Sequence, residues 1–464
     1  MKDTEKTRTE KDSMGEMAVP TDALFGASTQ RAVLNFPISG EGLPAPLIHA
    51  YGNIKAAAAE TNRGLGELDD LRAERIAAAA RAVADGRHDA QFPVDIYQTG
   101  SGTSTNMNVN EVIARLANLA APDGPAVHPN DHVNLGQSSN DTFPTAIHVA
   151  AAMEMENTLR PALRTLHEAL AAKAREFDGI LKIGRTHLMD AVPMRLGQEF
   201  GGWARQAEKA EERCRAAVEA LMELPLGGTA VGTGLNAHPE FAVKCIARLA
   251  DICGLPFRRA ANPFEAQAAR DAVVEAHGQL NTIAVSLHKI ANDIRLLASG
   301  PRCGIAEIQL PAIQPGSSIM PGKVNPVLAE SVTMVAARVF GNQATVTACG
   351  CGGFLELNVS MPLIAKCLLE SIRLLANASR AFAEQCVAGI TADEARCREF
   401  IEQSMAMVTA LVPLIGYDRA AALAKEAMRS GRTIRELCLE NIGELDIDEA
   451  VLNEALDARR MTGT

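Results

Sequence analysis

The feature that most limits what this chain can fold into is a set of eight aliphatic side chains, Val273, Ala276, Leu280, Ile283, Leu287, Ile290, Ile294 and Leu297, spaced alternately by three and four residues. That alternation marks a helix with one continuous apolar seam, and no proline interrupts it. At about 1.5 Å of rise per residue the seam alone exceeds about 36 Å, longer than most helices of compact domains, so it needs a bundle of comparable partners. Residues 144–176, 193–224 and 356–387 supply them: they are long, Ala- and Leu-rich and helical in pattern, with Pro161 read as a kink and Pro362 near a helix start. Hydrophobic residues make up 47% of the chain but aromatics only 4%, which suits helices packed through small and branched side chains and disfavours an all-β sandwich. The expected class is mainly α.

A chain of 464 residues exceeds what one hydrophobic core usually serves, so several structural units are expected. Residues 1–137 mix helix signals with Gly- and Asn-rich loops and read as an N-terminal cap. Residues 138–390 form the central long-helix bundle. Residues 391–464 read as a small C-terminal helical unit, opened by Thr391, Ala392, Asp393 and Glu394 in the form of a capping box. Apolar seams on long helices usually find partner chains, which predicts a homo-oligomer.

The formal charge of -11 argues against nucleic-acid binding, which rests on clustered Lys and Arg. The first residues, MKDTEKTRTEKDSMGEM, are charged throughout and lack the apolar core of a signal peptide, and no apolar run approaches about 20 residues. A soluble, cytoplasmic protein with no membrane partner is expected. All ten cysteines lie at or after Cys214 and form no C-x-x-C pair, so they read as free thiols rather than metal or cluster ligands.

Four short runs between the helical segments are dense in Ser, Thr, Asn and Gly: residues 99–111 (TGSGTSTNMNVNE), 128–141 (HPNDHVNLGQSSND), 184–190 (GRTHLMD) and 316–326 (GSSIMPGKVNP). One such run is ordinarily a turn or a helix cap, and Ser138 to Asp141 do precede a helix. Four of them suggest a pocket. Neutral hydroxyl and amide donors with one lysine suit a small carboxylate dianion, because they pair its oxygens without burying many charges. A helix N-terminus adds backbone donors and a partial positive charge. A lone His187 is more often structural, and a lone Lys323 is more often a solvated surface charge. Lys323, however, sits in a loop shaped by two glycines and two prolines that can carry it over a ligand. Ser317 and Ser318 lack the G-x-S-x-G setting of a hydrolase nucleophile.

GSSIMPGKVNP closely resembles the signature of the fumarase/aspartase superfamily. TGSGTSTNMNVNE, HPNDHVNLGQSSNDTFPTAIH, GRTHLMDAVPMRLGQEF, GGTAVGTGLN, KIANDIRLLASGPRCGIAEI and ELNVSMP look like segments of its class II fumarase family, in the right order from about residue 10 to the C-terminus. The resemblance implies a homotetramer with a core of twenty helices and active sites each shared by three subunits. It implies reversible hydration of fumarate to (S)-malate, a hydro-lyase step of the tricarboxylic acid cycle, by anti addition and elimination through an aci-carboxylate carbanion. No metal or organic cofactor takes part in that scheme. Carried over by position, Ser317 is the base, and Lys323 and Asn325 stabilise the aci-carboxylate. His187 assists the water, with Glu330 as its partner and Thr186 beside it. Ser101, Gly102, Thr103, Ser138, Ser139, Asn140 and Ser318 match substrate-binding positions. His128, Asn130 and Asp131 resemble a second anion site of some fumarases, but Pro125 and Ala126 stand where an arginine can precede the histidine, so an ordered polar loop is an equal reading.

The rival within the superfamily is aspartase, which eliminates ammonia on the same scaffold. Ser104 with Thr105, and His132, occur in patterns also found in aspartases. Ser139 in SSND, the following TFPTAIH, PRCGIAEI and MVTALVPLIGYDRAAALAKEA favour fumarase. A non-catalytic scaffold protein is expected to have lost one of Ser317, Lys323, Asn325 or His187, and all four are present.

Overall fold

The structure, a computed structural model, describes residues 6–463. Two antiparallel strands, β1 (Thr7–Asp12) and β2 (Gly15–Pro20), lead into helices α1 (Ala27–Asn35), α2 (Ala45–Gly64), α3 (Asp70–Ala84), α4 (Thr103–Ala120), α5 (Ser139–Glu154) and α6 (Arg160–Glu176). The hairpin of β3 (Leu181–Thr186) and β4 (Met189–Arg195) follows. Beyond it come α7 (Leu196–Ala220), α8 (Phe241–Cys253), α9 (Pro263–Ala268), α10 (Asp271–Leu297), α11 (Val327–Gly350), α12 (Met361–Gln385), α13 (Glu394–Gln403) and shorter helices. The chain is mainly helical. Among the described residues each sheet has only two strands, and no helix is long and apolar enough to cross a membrane.

Two compact units share the chain. One comprises the chain up to Pro161, Glu211–Ala284 and Val335–Asn377; the other comprises Ala162–Ala210, Val285–Met334 and the chain from Ala378 on. In the first, α2 is buried along most of its length, through Leu47, Ile48, Tyr51, Ile54 and the run Ala56–Ala59. Gly52 lets α3 approach closely, since a Cβ there would stand 2.7 Å from the Ala80 carbonyl oxygen. In the second, Ile401, Leu411, Ile434, Leu437, Cys438 and Leu452 form a core for the C-terminal helices. Asp393, not Thr391, caps α13 by accepting the Arg396 amide at 2.9 Å, because Thr391 and Ala392 are occupied in pairing with Gln309 and Ile308.

All eight seam residues of α10 fall at or below 5% exposure within this single chain. The seam therefore serves the chain's own core and leaves any partner contact to other surfaces, such as Val285 (53% exposed) and Met334 (67%). The kink expected at Pro161 is a π-turn, Met155–Leu159, where the Arg160 amide bonds back to the Met155 carbonyl. Proline has no N–H to continue the α-helical ladder, and the turn before it absorbs the mismatch.

Candidate active site

In the first unit two helix N-termini carry the Ser/Thr/Asn cluster. The chain enters α4 through Gly102 at φ 75°, where a Cβ would lie 1.8 Å from the Phe143 ring, so only glycine fits. Just before it, the Gly100 carbonyl accepts the Met361 amide at 3.1 Å, which ties this turn to the ELNVSMP segment. Ser101, 7% exposed, has its hydroxyl 2.8 Å from that of Thr103, and the Thr103 hydroxyl lies 2.7 Å from that of Ser139. Ser138 is the N-cap of α5 in a full capping box: its hydroxyl accepts the Asn140 amide at 3.2 Å, while its own amide donates to Asp141 at 2.9 Å. The Asn140 side chain donates to the Ala230 carbonyl at 2.9 Å. The second Asp141 oxygen accepts the amides of Gly227 (3.0 Å) and Thr229 (2.9 Å). Asp141 thus joins α5 to the GGTAVGTGLN loop. Burial pushes its carboxyl up to about 6, against the amides of Ser138, Thr229 and Gly227, which pull it down. Two adjacent helix starts lined with hydroxyls present donors of the kind that a carboxylate accepts.

His128, Asn130 and Asp131 are exposed; His128 caps the π-turn Pro129–Val133 that carries the other two. The His128 ring accepts the Asp131 amide at 3.2 Å, and the His132 ring accepts the His128 amide at 2.8 Å. Burial depresses the His132 imidazole, with the Arg72 charge acting in the same direction.

In the second unit His187 is at the tip of the β3–β4 hairpin. Thr186 pairs with Met189, so His187 and Leu188 form a two-residue turn with φ of 57° and 61°. The base of the hairpin is fixed by charge. Lys182, 1% exposed, bonds Glu199 at 2.8 Å and lies 3.0 Å from fully buried Glu307, the latter an ion-pair contact rather than a well-angled hydrogen bond. Arg185 bonds Glu307 at 2.9 Å and lies 5.2 Å from the centre of the Phe400 ring. His187 is exposed, and among the described residues its ring makes no hydrogen bond or ion pair.

The 316–326 loop is pinned at its ends. The Asn325 side chain donates to the Gly316 carbonyl at 2.6 Å, and a Cβ at Gly316 would lie 1.9 Å from the Lys323 carbonyl oxygen. The Ser317 hydroxyl oxygen accepts the amides of Ile319 (3.3 Å) and Met320 (3.0 Å), donors that also suit an alkoxide. Ser318 and Lys323 are exposed, and so is Glu330 in the first turn of α11. Among the described residues the Lys323 ammonium and the Glu330 carboxylate have no side-chain partner, and the expected contact between Glu330 and His187 is not made within this chain.

Sequence reasoning passed over Lys55, Lys182, Arg185 and Glu307, and treated Asp141 only as a helix opener. A signal existed for Lys55: it is the one charge between Ala50 and Ala59, a stretch otherwise fit for burial. The chain matches the family model described as Lyase over residues 15–341 and that of the fumarase C C-terminus over residues 407–463. A class II fumarate hydratase of Mycobacterium tuberculosis is 56% identical over 463 residues, covering 99% of this chain and 97% of its own. One of Corynebacterium efficiens is 54% identical over 461 residues, covering 98% and 97%. Among solved structures, the recombinant class II fumarase of Schistosoma mansoni superposes with a TM-score of 0.94 at 40% identity, covering 98% of this chain and 99% of that one. The fumarate lyase:delta crystallin of Brucella melitensis bound to cobalt gives 0.94 at 45% identity, covering 99% and 100%.

Proposed function

The chain belongs to the class II fumarate hydratase family of lyases, and on that premise we propose that it catalyses the reversible hydration of fumarate to (S)-malate. The observation that carries the reading is likeness to class II fumarate hydratases from end to end, at 56% identity over 99% of the chain. Aspartate ammonia-lyase, which uses the same scaffold, is not favoured by relatives so uniformly named as hydratases.

In the direction of malate loss, Ser317 removes the proton from the carbon beside one carboxylate, and that bond's electron pair passes into the carboxylate as an aci-carboxylate. The hydroxide on the neighbouring carbon then leaves as water, protonated with help from His187. A serine hydroxyl is a weak base, and the two amides directed at the Ser317 oxygen support its anionic form. Lys323 and Asn325 offset the extra charge of the aci-carboxylate, which exceeds that of the ground state, so their contribution accelerates the reaction. Glu330 orients His187, and Thr186 stands beside it. Ser101, Gly102, Thr103, Ser138, Ser139, Asn140 and Ser318 hold the dicarboxylate. These steps draw on protein groups alone and call for no cofactor.

The subunit divides functionally into a cap (1–137), a long-helix bundle (138–390) and a C-terminal unit (391–464). Four subunits associate through a twenty-helix core, and three contribute to each site. Large apolar side chains left exposed on the single chain, among them Val285 and Met334, support association between subunits. Residues His128, Asn130 and Asp131 as a second anion site, and a cytoplasmic setting, complete the proposal. The test is ultraviolet absorbance of fumarate with malate, with aspartate, and with fumarate plus or minus ammonium, in metal-free buffer. Equilibration with malate alone is expected; reaction only with aspartate or ammonium would replace the hydratase by an aspartase.

A further inference from the structure

Beneath the two helix N-termini lies a lysine that the mechanism above does not use. Lys55, on α2, is 0% exposed, and its ammonium donates to Asn134 Oδ1 and Gln137 Oε1, both at 3.0 Å. Asn134 Oδ1 also accepts from the side chains of Asn106 and Asn110 on α4, each at 3.2 Å. Gln137 immediately precedes the Ser138 cap of α5. The ammonium therefore fastens the segment leading into α5 to α2 and, through Asn134, to the helix that starts at Thr103, whose first hydroxyl meets that of Ser139.

Its electrostatic setting is one-sided. Both hydrogen-bond partners are neutral amides, and the negative group facing it is Asp141 of α5. The other titratable groups nearby are Cys245 of α8, whose thiol burial pushes up to about 12, and Tyr51 on its own helix, whose ring centre is 5.9 Å away and whose phenol burial also raises. Neither carries charge near neutrality. Asp141 alone would repel an anion seated at the start of α5, and a buried ammonium alone would be strongly unfavourable. Together they balance, and the hydroxyl and amide donors above them keep their positive character toward a ligand. On a chain of formal charge -11, a doubly negative substrate needs such a local cation.

We propose that Lys55 is a positioning residue of the active site, which holds the starts of α4 and α5 together and supplies from beneath the positive charge that lets them bind a dicarboxylate dianion. The identity of that dianion rests on the hydratase reading. Lys55 acts through Asn134, Gln137 and the Ser138–Asn140 turn. Burial also lowers its ammonium to about 7, with Asp141 drawing it back up, so the charge fades above neutrality and dianion binding weakens there.

The experiment compares full-length wild type with Lys55→Gln, which keeps a polar end without charge, and Lys55→Met, which removes both. Fumarate hydration is followed at about pH 6.5 and about pH 8.5, and succinate binding is measured by calorimetry at both. Lys55→Gln is expected to raise KM and the succinate dissociation constant about tenfold at the lower pH with kcat changed less than about threefold, the pattern of lost uniform binding. It should also abolish the weakening of succinate binding that wild type undergoes as pH rises. Wild-type values of KM and succinate affinity in Lys55→Gln overturn the proposal, as does a fall in kcat alone, the mark of a purely structural role. If neither variant folds, succinate affinity of wild type that does not change between the two pH values overturns it. Absence of fumarate turnover by wild type would instead sink the hydratase reading, while the succinate measurements still judge the lysine.

Discussion

Asp141 holds Thr229 in a conformation that a β-branched residue avoids: its carboxylate accepts the Thr229 amide at 2.9 Å while Thr229 sits at φ 54°. The Thr229 hydroxyl is buried without a hydrogen-bond partner, so the side chain contributes little to offset that strain. Thr229→Gly should therefore be neutral or stabilising by about 1 kcal/mol, because glycine adopts this region freely. Asp141→Asn can no longer accept every amide and should cost about 3 kcal/mol, as buried donors are left unpaired. Thermal and urea unfolding of the two variants would separate them, and the opposite ranking would contradict this account.

Replacing Ser317 by alanine should lower kcat by about 10²–10⁴-fold, the range of a lost general base, with the unfolding midpoint nearly unchanged because the residue lies in a loop. Near-normal turnover by a folded variant would remove it as the base.

Glu307 receives both Lys182 and Arg185 from strand β3 and is fully buried. Glu307→Gln leaves Arg185 without its carboxylate partner and Lys182 with Glu199 alone, and should destabilise the protein by about 3 kcal/mol. Because those cations anchor the hairpin ending at His187, activity per folded enzyme should fall as well. Unchanged turnover in the folded fraction would show that the hairpin does not depend on this cluster.

His148 is buried against the Glu223 carbonyl at 2.9 Å, and desolvation, with the Arg270 charge acting the same way, depresses its imidazole to about 4. In the unfolded chain it titrates near about 6.5, so between these values the unfolded state binds the extra proton and folding weakens as pH falls. The loss is absent above about 6.5 and reaches about 3 kcal/mol near pH 4. Asp141, whose carboxyl is raised to about 6, acts with the opposite sign below that pH and offsets part of it. His148→Asn, which keeps a donor for the Glu223 carbonyl, should flatten the acid limb of a stability-pH curve; an unaltered limb would assign it to other groups.

Met334 is 67% exposed on α11 although it is large and apolar. Met334→Glu should lower the sedimenting mass at micromolar concentration and lower activity in parallel, if partner chains complete the site. A monomeric but active wild type would refute the shared-site proposal outright.

The long helices were legible because burial repeats every three to four residues: each seam position from Val273 to Leu297 is buried in α10. The Ser138 start of α5 was legible because capping chemistry is local, decided within four residues. Lys55 and Glu307 were not, since what distinguishes them from surface charges is the company brought by residues up to 122 positions away, as with Arg185 and Glu307. The seam could be read as a helix but not assigned to a neighbour, for periodicity gives which face is buried and not what covers it. The pairing of His187 with Glu330 was inferred from resemblance, and a single chain leaves both groups exposed.

The turn at His187 and Leu188 has a practical corollary for anyone engineering heat resistance into this enzyme. Two consecutive left-handed residues at a hairpin tip are the setting in which Asn-Gly is the usual improvement, since it removes a backbone penalty of about 1–2 kcal/mol per residue. Here that substitution would delete the imidazole that the turn holds out to solvent. Gly at 188 alone would keep the imidazole but make its mount more flexible. The hairpin tip is thus a poor place to seek thermostability.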